Sequence, residues 1–120
     1  MMNKKLLMLA ATLALIYGGQ VTADDDAASR GEAVFDDCAI CHGDDAQGGE
    51  DFGAPKLAGQ LDWYLIRQLK NFRGEIRGTQ EGDEFGPVMQ PMAADLDDQA
   101  IEDVVAYIMT LDATVVADED

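Results

Sequence analysis

Histidine is nearly missing from this chain: His42 is the only one in 120 residues. Any mechanism that needs two imidazoles is therefore excluded. Cysteine is almost as scarce. Cys38 and Cys41 are the only two, too few for a disulfide scaffold. Positive charge is sparse as well, with 8 Lys and Arg against 24 Asp and Glu and a formal net charge of −16. A nucleic-acid partner needs a basic face, so that class is excluded, and anionic membrane surfaces are unfavourable for the same reason. No apolar run reaches the roughly 20 residues that span a bilayer. Nothing beyond the first residues alternates apolar and polar at period two for long, and no internal repeat is visible. The fold class is therefore all-α, with long loops.

The hydrophobic share of 48% is that of a globular protein, and the length suits one domain. The opening residues are a separate matter. Lys4 and Lys5 precede the apolar run Leu6 to Ile16, and Val21-Thr22-Ala23 places small or branched residues where a signal peptidase reads. This is the form of a secretory signal peptide. Residues 1–23 are expected to be cleaved after Ala23. Residues 24–120 are then an exported, periplasmic domain with an ordered core at about 27–111 and no stable membrane insertion. A domain of that size buries a modest core and gains from a staple or cofactor.

Asp24-Asp25-Asp26 and Asp118-Glu119-Asp120 read as solvated, frayed ends. The first helix is expected from Ala27 to Cys38, with Ser29 as cap and Glu32 as its capping-box partner. Gly31 inside it costs about 1 kcal/mol relative to alanine, which suggests the close approach of another helix. Residues 43–60 hold Gly43, Gly48, Gly49, Gly53, Pro55 and Gly59, a density of breakers that predicts a long functional loop. Asp62 is expected to cap a helix from Trp63 to Phe72, whose stripe is Trp63, Leu65, Ile66, Leu69 and Phe72. Two prolines four apart argue against a regular helix over Pro87–Met92. The clearest element is last. Asp97 is its N-cap, Leu96 can staple onto Ile101, and Ile101, Val104, Val105, Ile108 and Leu111 form one stripe, with Tyr107 off it.

Cys38-Ala39-Ile40-Cys41-His42 gathers both cysteines and the lone histidine within five residues. Cys-x-x-Cys-His is the attachment signature of c-type haem. Each thiol adds to one vinyl group, one helical turn carries both along a porphyrin edge, and the histidine that follows reaches the iron from the same side. A thioredoxin-like pair needs a preceding strand, zinc needs four protein ligands, and a disulfide this short stabilises little. One covalent haem c is the reading that remains. With no second histidine, the other iron ligand is sought among methionines. Met109 lies beside the core stripe of the last helix and reads as packing. Met89 and Met92 lie in the Pro-containing segment, and either can present a thioether.

The chain resembles class I c-type cytochromes, in particular the bacterial cytochrome c4 and cytochrome c553 group. Gly31-x-x-x-Phe35-x-x-Cys38-x-x-Cys41-His42-Gly43 is similar to the family's first helix and haem site. Pro55-Lys56-Leu57-Ala58-Gly59-Gln60 and Tyr64-Leu65-x-x-Gln68-Leu69-x-x-Phe72-x-Gly74-x-x-Arg77 resemble its middle segment. Met89-x-x-Met92-Ala93, Leu96 and Ala106-Tyr107-Ile108 complete the match, over about residues 27–111. The resemblance implies the small cytochrome c fold, with first and last helices crossing and Phe35 paired with Tyr107. It also implies Met89 as the iron ligand, seven residues before Leu96, with Met92 as the alternative. Cytochrome c4 carries two haem domains, and this chain has one Cys-x-x-Cys-His.

The function implied is a non-enzymatic, one-electron carrier in the periplasm. Its partners would be redox proteins, among them a membrane-bound oxidase or reductase. The competing reading is a haem protein that binds a small ligand or acts as a redox enzyme subunit, with an open sixth site. Arg67, Lys70, Arg73 and Arg77 fall along one side of a helix, where they form a solvated face, a propionate contact or a docking spot. The adjacent acids Asp36-Asp37, Asp44-Asp45 and Asp97-Asp98 do not converge on one spot, which argues against acid–base catalysis.

Overall fold

A computed structural model describes residues 23–113. The expected signal peptide, apart from Ala23, and the acidic triplet 118–120 lie outside the described residues. Four helices follow in order: α1 Ala23–His42, α2 Asp62–Arg73, α3 Gly86–Ala94 and α4 Asp98–Ile108, with a 3-10 turn at Glu50–Phe52 between α1 and α2. Among the described residues there is no strand, only an isolated bridge between Gly49 and Ala54. The all-α expectation holds. No described helix is long and apolar enough to cross a membrane.

Helix α1 packs chiefly on α4, and α2 packs on α3 and α4. The core lies where these meet: Phe35 from α1, Leu65 from α2, Val104, Val105 and Ile108 from α4, and Ala46 and Ala58 from the long loop. Ile101 of α4 is fully buried as well. The stripe expected of α4 is thus its core face, except that Leu111 is only partly buried and lies beyond the helix end. The Asp97 side chain accepts from the Ala100 N–H at 2.8 Å, as a cap should.

Gly31 marks where α1 and α4 touch. A methyl group there would overlap the backbone carbonyl of Asp103. Around this point Arg30 makes a bidentate pair with Asp103, Nε to Oδ2 at 2.7 Å and Nη2 to Oδ1 at 2.8 Å, and Gln99 donates to the same carboxylate at 3.0 Å. Asp103 is 4% exposed, so a buried charge is fully partnered. The rings of Phe35 and Tyr107 tilt together at 5.3 Å, the pairing that the family resemblance implied.

Four expectations need correction. α1 is longer than Ala27–Cys38, and Ser29 lies inside it rather than at its cap. Asp24, Asp25 and Asp26 lie within α1, and acids such as Asp25 and Asp26 near a helix start are favoured by the helix dipole. Asp62 is the first residue of α2, not its cap; Leu61 takes that place, without a side-chain bond. The segment Pro87–Met92 is helical, within α3. Pro87 stands in the first turn, where an N–H has no intrahelical acceptor, and Pro91 forfeits a single bond of a nine-residue helix. Burial of Ala93 and the bond from Gln90 Nε2 to the Arg77 carbonyl at 3.1 Å help hold the helix in place.

The basic stripe of α2 is engaged within the chain. Arg73 donates to the Leu96 carbonyl and to Asp98, and Lys70 lies 4.0 Å from Asp98. Arg67 lies over the Trp63 ring, and Arg77 lies over Phe72 and donates to Gln68. Arg73 and Lys70 thus fasten α2 to the start of α4, whereas Arg67 and Arg77, the latter beyond the end of α2, make local contacts with α2 itself.

Two outcomes follow from the crossing. Gly31→Ala should destabilise the fold by about 3 kcal/mol, the upper range for overpacking, read as a lower melting temperature. The Arg30 hydrogen bond holds the Asp103 carboxyl below the usual carboxylate range. A lowered folded pKa gives stability that is complete above about pH 4 and lost as pH falls through the folded value. Urea midpoints measured from pH 7 to acid should show a steeper acid loss in the parent than in Asp103→Asn.

Candidate functional site

Cys38, Cys41 and His42 occupy the last turn of α1. Spacings of three and four put them on one helix face. Both thiols are half-buried and not joined in a disulfide. Cys38 Sγ lies 3.7 Å from the Val34 carbonyl. Burial, with the nearby Asp37 charge, pushes the Cys38 thiol up to about 11. A dithiol redox catalyst needs a thiol shifted the other way, so that reading loses ground.

His42 is 6% exposed. Its Nδ1 lies 2.9 Å from the Pro55 carbonyl oxygen, which requires the Nδ1–H tautomer, the nitrogen donating. Nε2 is then left with a lone pair for a metal. An imidazole held through its far nitrogen by a backbone carbonyl is the usual second contact of a metal-bound histidine.

The loop after α1 is built to deliver that carbonyl. Gly48 N–H bonds to the His42 carbonyl, Gly49 and Ala54 exchange a pair of bonds, and the Ala46 carbonyl accepts from Leu57 and Ala58. Ala46 is fully buried with φ of 55°, a left-handed conformation unusual for alanine. Gly48 has φ of 90°, and a methyl there would lie 2.8 Å from the Ala54 oxygen and the Lys56 nitrogen. An open cavity of about 370 Å³ lies beside Cys41, floored by Gly43, Gly48 and Gly49 and walled by Ile40 and Phe52.

Met89 and Met92 come from a different element. Both are on α3, one turn apart, rather than in an irregular segment. Met89 is half-buried and Met92 is 42% exposed. Met109, expected as packing, is 48% exposed at the end of α4. His42 and the thiols thus belong to α1, which packs on α4, and the two methionines to α3, which packs on α2. The two sides meet where Gly53 lies against the Phe85 ring, just before α3.

A family model for cytochrome c matches residues 28–112. The chain belongs to the cytochrome c family. It is 38% identical over 116 residues to cytochrome c4 of Azotobacter vinelandii, covering 95% of this chain and 53% of that one. It is 40% identical over 76 residues to the thiosulfate dehydrogenase electron acceptor of Stutzerimonas stutzeri strain A1501, covering 63% and 32%. The crystal structure of reduced recombinant cytochrome c4 from Pseudomonas stutzeri superposes with a TM-score of 0.63 at 34% identity, covering 72% of this chain and 49% of that chain. The chain spans about half the length of the cytochrome c4 relatives it matches.

The family's cofactor is covalent haem c, and Cys38 and Cys41 fit its attachment motif. The residues present suit that group: two thiols on one helix face and, beside them, a buried imidazole held through Nδ1 by the Pro55 carbonyl. No cluster of three or more His, Cys, Asp or Glu side chains among the described residues offers a competing metal site. What the sequence did not announce is the Pro55 carbonyl as the partner of His42. A main-chain acceptor leaves no side-chain signature; the breakers around it were the only trace.

The loop geometry yields a test. Gly48→Ala adds a methyl where backbone stands and forces an unfavourable φ. The yield of haem-loaded protein on export should fall severalfold, with a loss of stability of about 1–3 kcal/mol in what remains.

Proposed function

We propose that this chain is a periplasmic one-electron carrier, holding one haem c through Cys38 and Cys41, with His42 and Met89 as the axial ligands of the iron. The supporting observation is the buried His42 with Nδ1 engaged by Pro55 and Nε2 available, on the same helix end as both thiols. When bound, the haem supplies an iron that gains and loses one electron. The protein's part is to keep both ligands in place in both states, so that little rearranges on transfer. His42 is held by the Pro55 carbonyl, and Met89 is carried by a helix fixed to α2. Met89 is favoured over Met92 because it is the more buried of the two. Methionine ligation raises the potential relative to a second histidine.

Residues 1–23 fit an export signal, and residues 24–120 the carrier domain. Its partners would be redox proteins that donate and accept the electron, including a membrane-bound oxidase or another periplasmic redox enzyme. A relative described as an electron acceptor for a dehydrogenase supports a carrier role over an enzymatic one. The net charge of −16 makes this protein the acidic side of such encounters. Acid is gathered near the α1–α4 crossing too: burial and the charges of Glu32, Asp36, Asp44 and Asp45 raise the Tyr107 hydroxyl pKa.

Two measurements test this reading. Oxidised parent protein should show the weak near-infrared band of a sulfur–iron bond, Met89→Ala should lose it, and Met92→Ala should keep it. A band lost only in Met92→Ala moves the ligand to Met92, and a parent without the band favours an open sixth site. The second-order rate of electron transfer to a purified membrane oxidase should fall steeply as ionic strength rises, since attraction is screened beyond a Debye length of about 8 Å at physiological salt and that length shortens with added salt. A flat or rising salt dependence would assign the acid to solubility instead.

A further inference from the structure

The far end of the described chain returns to the loop that holds His42. Gln47 Nε2 donates to the Asp112 carbonyl at 3.0 Å, and Lys56 Nζ donates to the Ala113 carbonyl at 2.5 Å. Gly59 lies against the same segment, since a methyl there would come within 2.7 Å of the Ala113 Cβ. Three positions spread over the loop therefore converge on two consecutive residues past α4.

Two of these contacts flank the atoms that hold the imidazole. Lys56 directly follows Pro55, whose carbonyl bonds His42. Gln47 follows Ala46, whose carbonyl takes the N–H groups of Leu57 and Ala58. The Lys56 carbonyl in turn receives Gln60 Nε2. Backbone bonds fix both sides of Pro55, and the two side chains tie that unit to the end of α4.

We propose that Gln47 and Lys56 clasp Asp112–Ala113 over the loop and thereby act as positioning residues for the Pro55–His42 hydrogen bond, which sets the basicity of the axial imidazole. This rests on the reading of His42 as an iron ligand. A carbonyl held firmly on Nδ1–H makes the imidazole a stronger donor, favours the oxidised iron and lowers the potential. Loosening the clasp weakens that bond and raises the potential. Simple loss of the Lys56 charge acts in the opposite direction, because removing a nearby cation favours the oxidised state.

The experiment uses the full-length holoprotein with Gln47→Leu and Lys56→Met. Neither side chain belongs to the core, and a melting curve checks that each variant folds. In the reduced protein, NMR measures solvent exchange of the His42 Nδ1–H, and a redox titration gives the midpoint. Exchange should quicken about fivefold or more in both variants, the effect of losing one hydrogen bond from a local closure. Gln47→Leu, which changes no charge, should raise the potential by an amount equal to a twofold to fivefold shift, roughly 20–40 mV at 59 mV per decade. Unchanged exchange in both variants overturns the proposal, as does faster exchange with an unmoved potential in Gln47→Leu. A lower potential in Lys56→Met with unchanged exchange is the mark of charge loss alone and also overturns it. Failure of the ligand reading looks different: His42 ring protons would then lack the large upfield shift that a haem ring current imposes, in the parent and in both variants.

Discussion

Helices α1 and α4 meet backbone to backbone where Gly31 faces the Asp103 carbonyl, and the remaining geometry is referred to that contact. With no side chain at Gly31, the axes come close enough for Phe35 to reach Tyr107 and for Arg30 to reach a buried carboxylate. The middle of α1 is therefore fixed, and the helix carries that constraint to its C-terminal end, where Cys38, Cys41 and His42 sit. Regular helix between Gly31 and His42 turns a packing contact into a placement of three reactive side chains. A small domain has few buried apolar residues to oppose chain entropy, so a contact that positions a site while building the core serves twice.

The loop after α1 solves a different problem. It must bring a main-chain carbonyl back to an imidazole 13 positions earlier without regular structure to guide it. It does so by bonding to itself and by placing Gly48 and Ala46 in conformations most residues avoid. The methionine side rests on α3, tied to α2 and to the preceding loop.

Much of this was legible in the residues. The apolar stripe and Asp97 cap of α4, the glycine at the crossing, the long loop and the Cys-x-x-Cys-His motif all depend on neighbours within one or two helical turns. Where the reading failed, distant or positional effects decided. Pro87 and Pro91 read as breakers, but one stands where no N–H is needed and the other removes a single bond that burial of Ala93 offsets. The acids at the start of α1 read as fraying because charge was weighed, and the favourable placing of Asp25 and Asp26 near the helix start was not. The Arg30–Asp103 pair spans 73 positions, and the Pro55 carbonyl is main chain, so neither leaves a local pattern. The basic stripe on α2 was seen, but its Asp98 and Leu96 partners lie at the start of α4 and in the turn before it.

The central claim is that Cys38 and Cys41 carry haem covalently beside an imidazole held for iron. The intact mass of the exported protein after denaturation, with thiol alkylation in parallel, tests it most directly. The account predicts a polypeptide heavier by one haem, with neither thiol alkylated. An unmodified polypeptide mass with two alkylated cysteines, and haem released into acidified organic solvent, would contradict it.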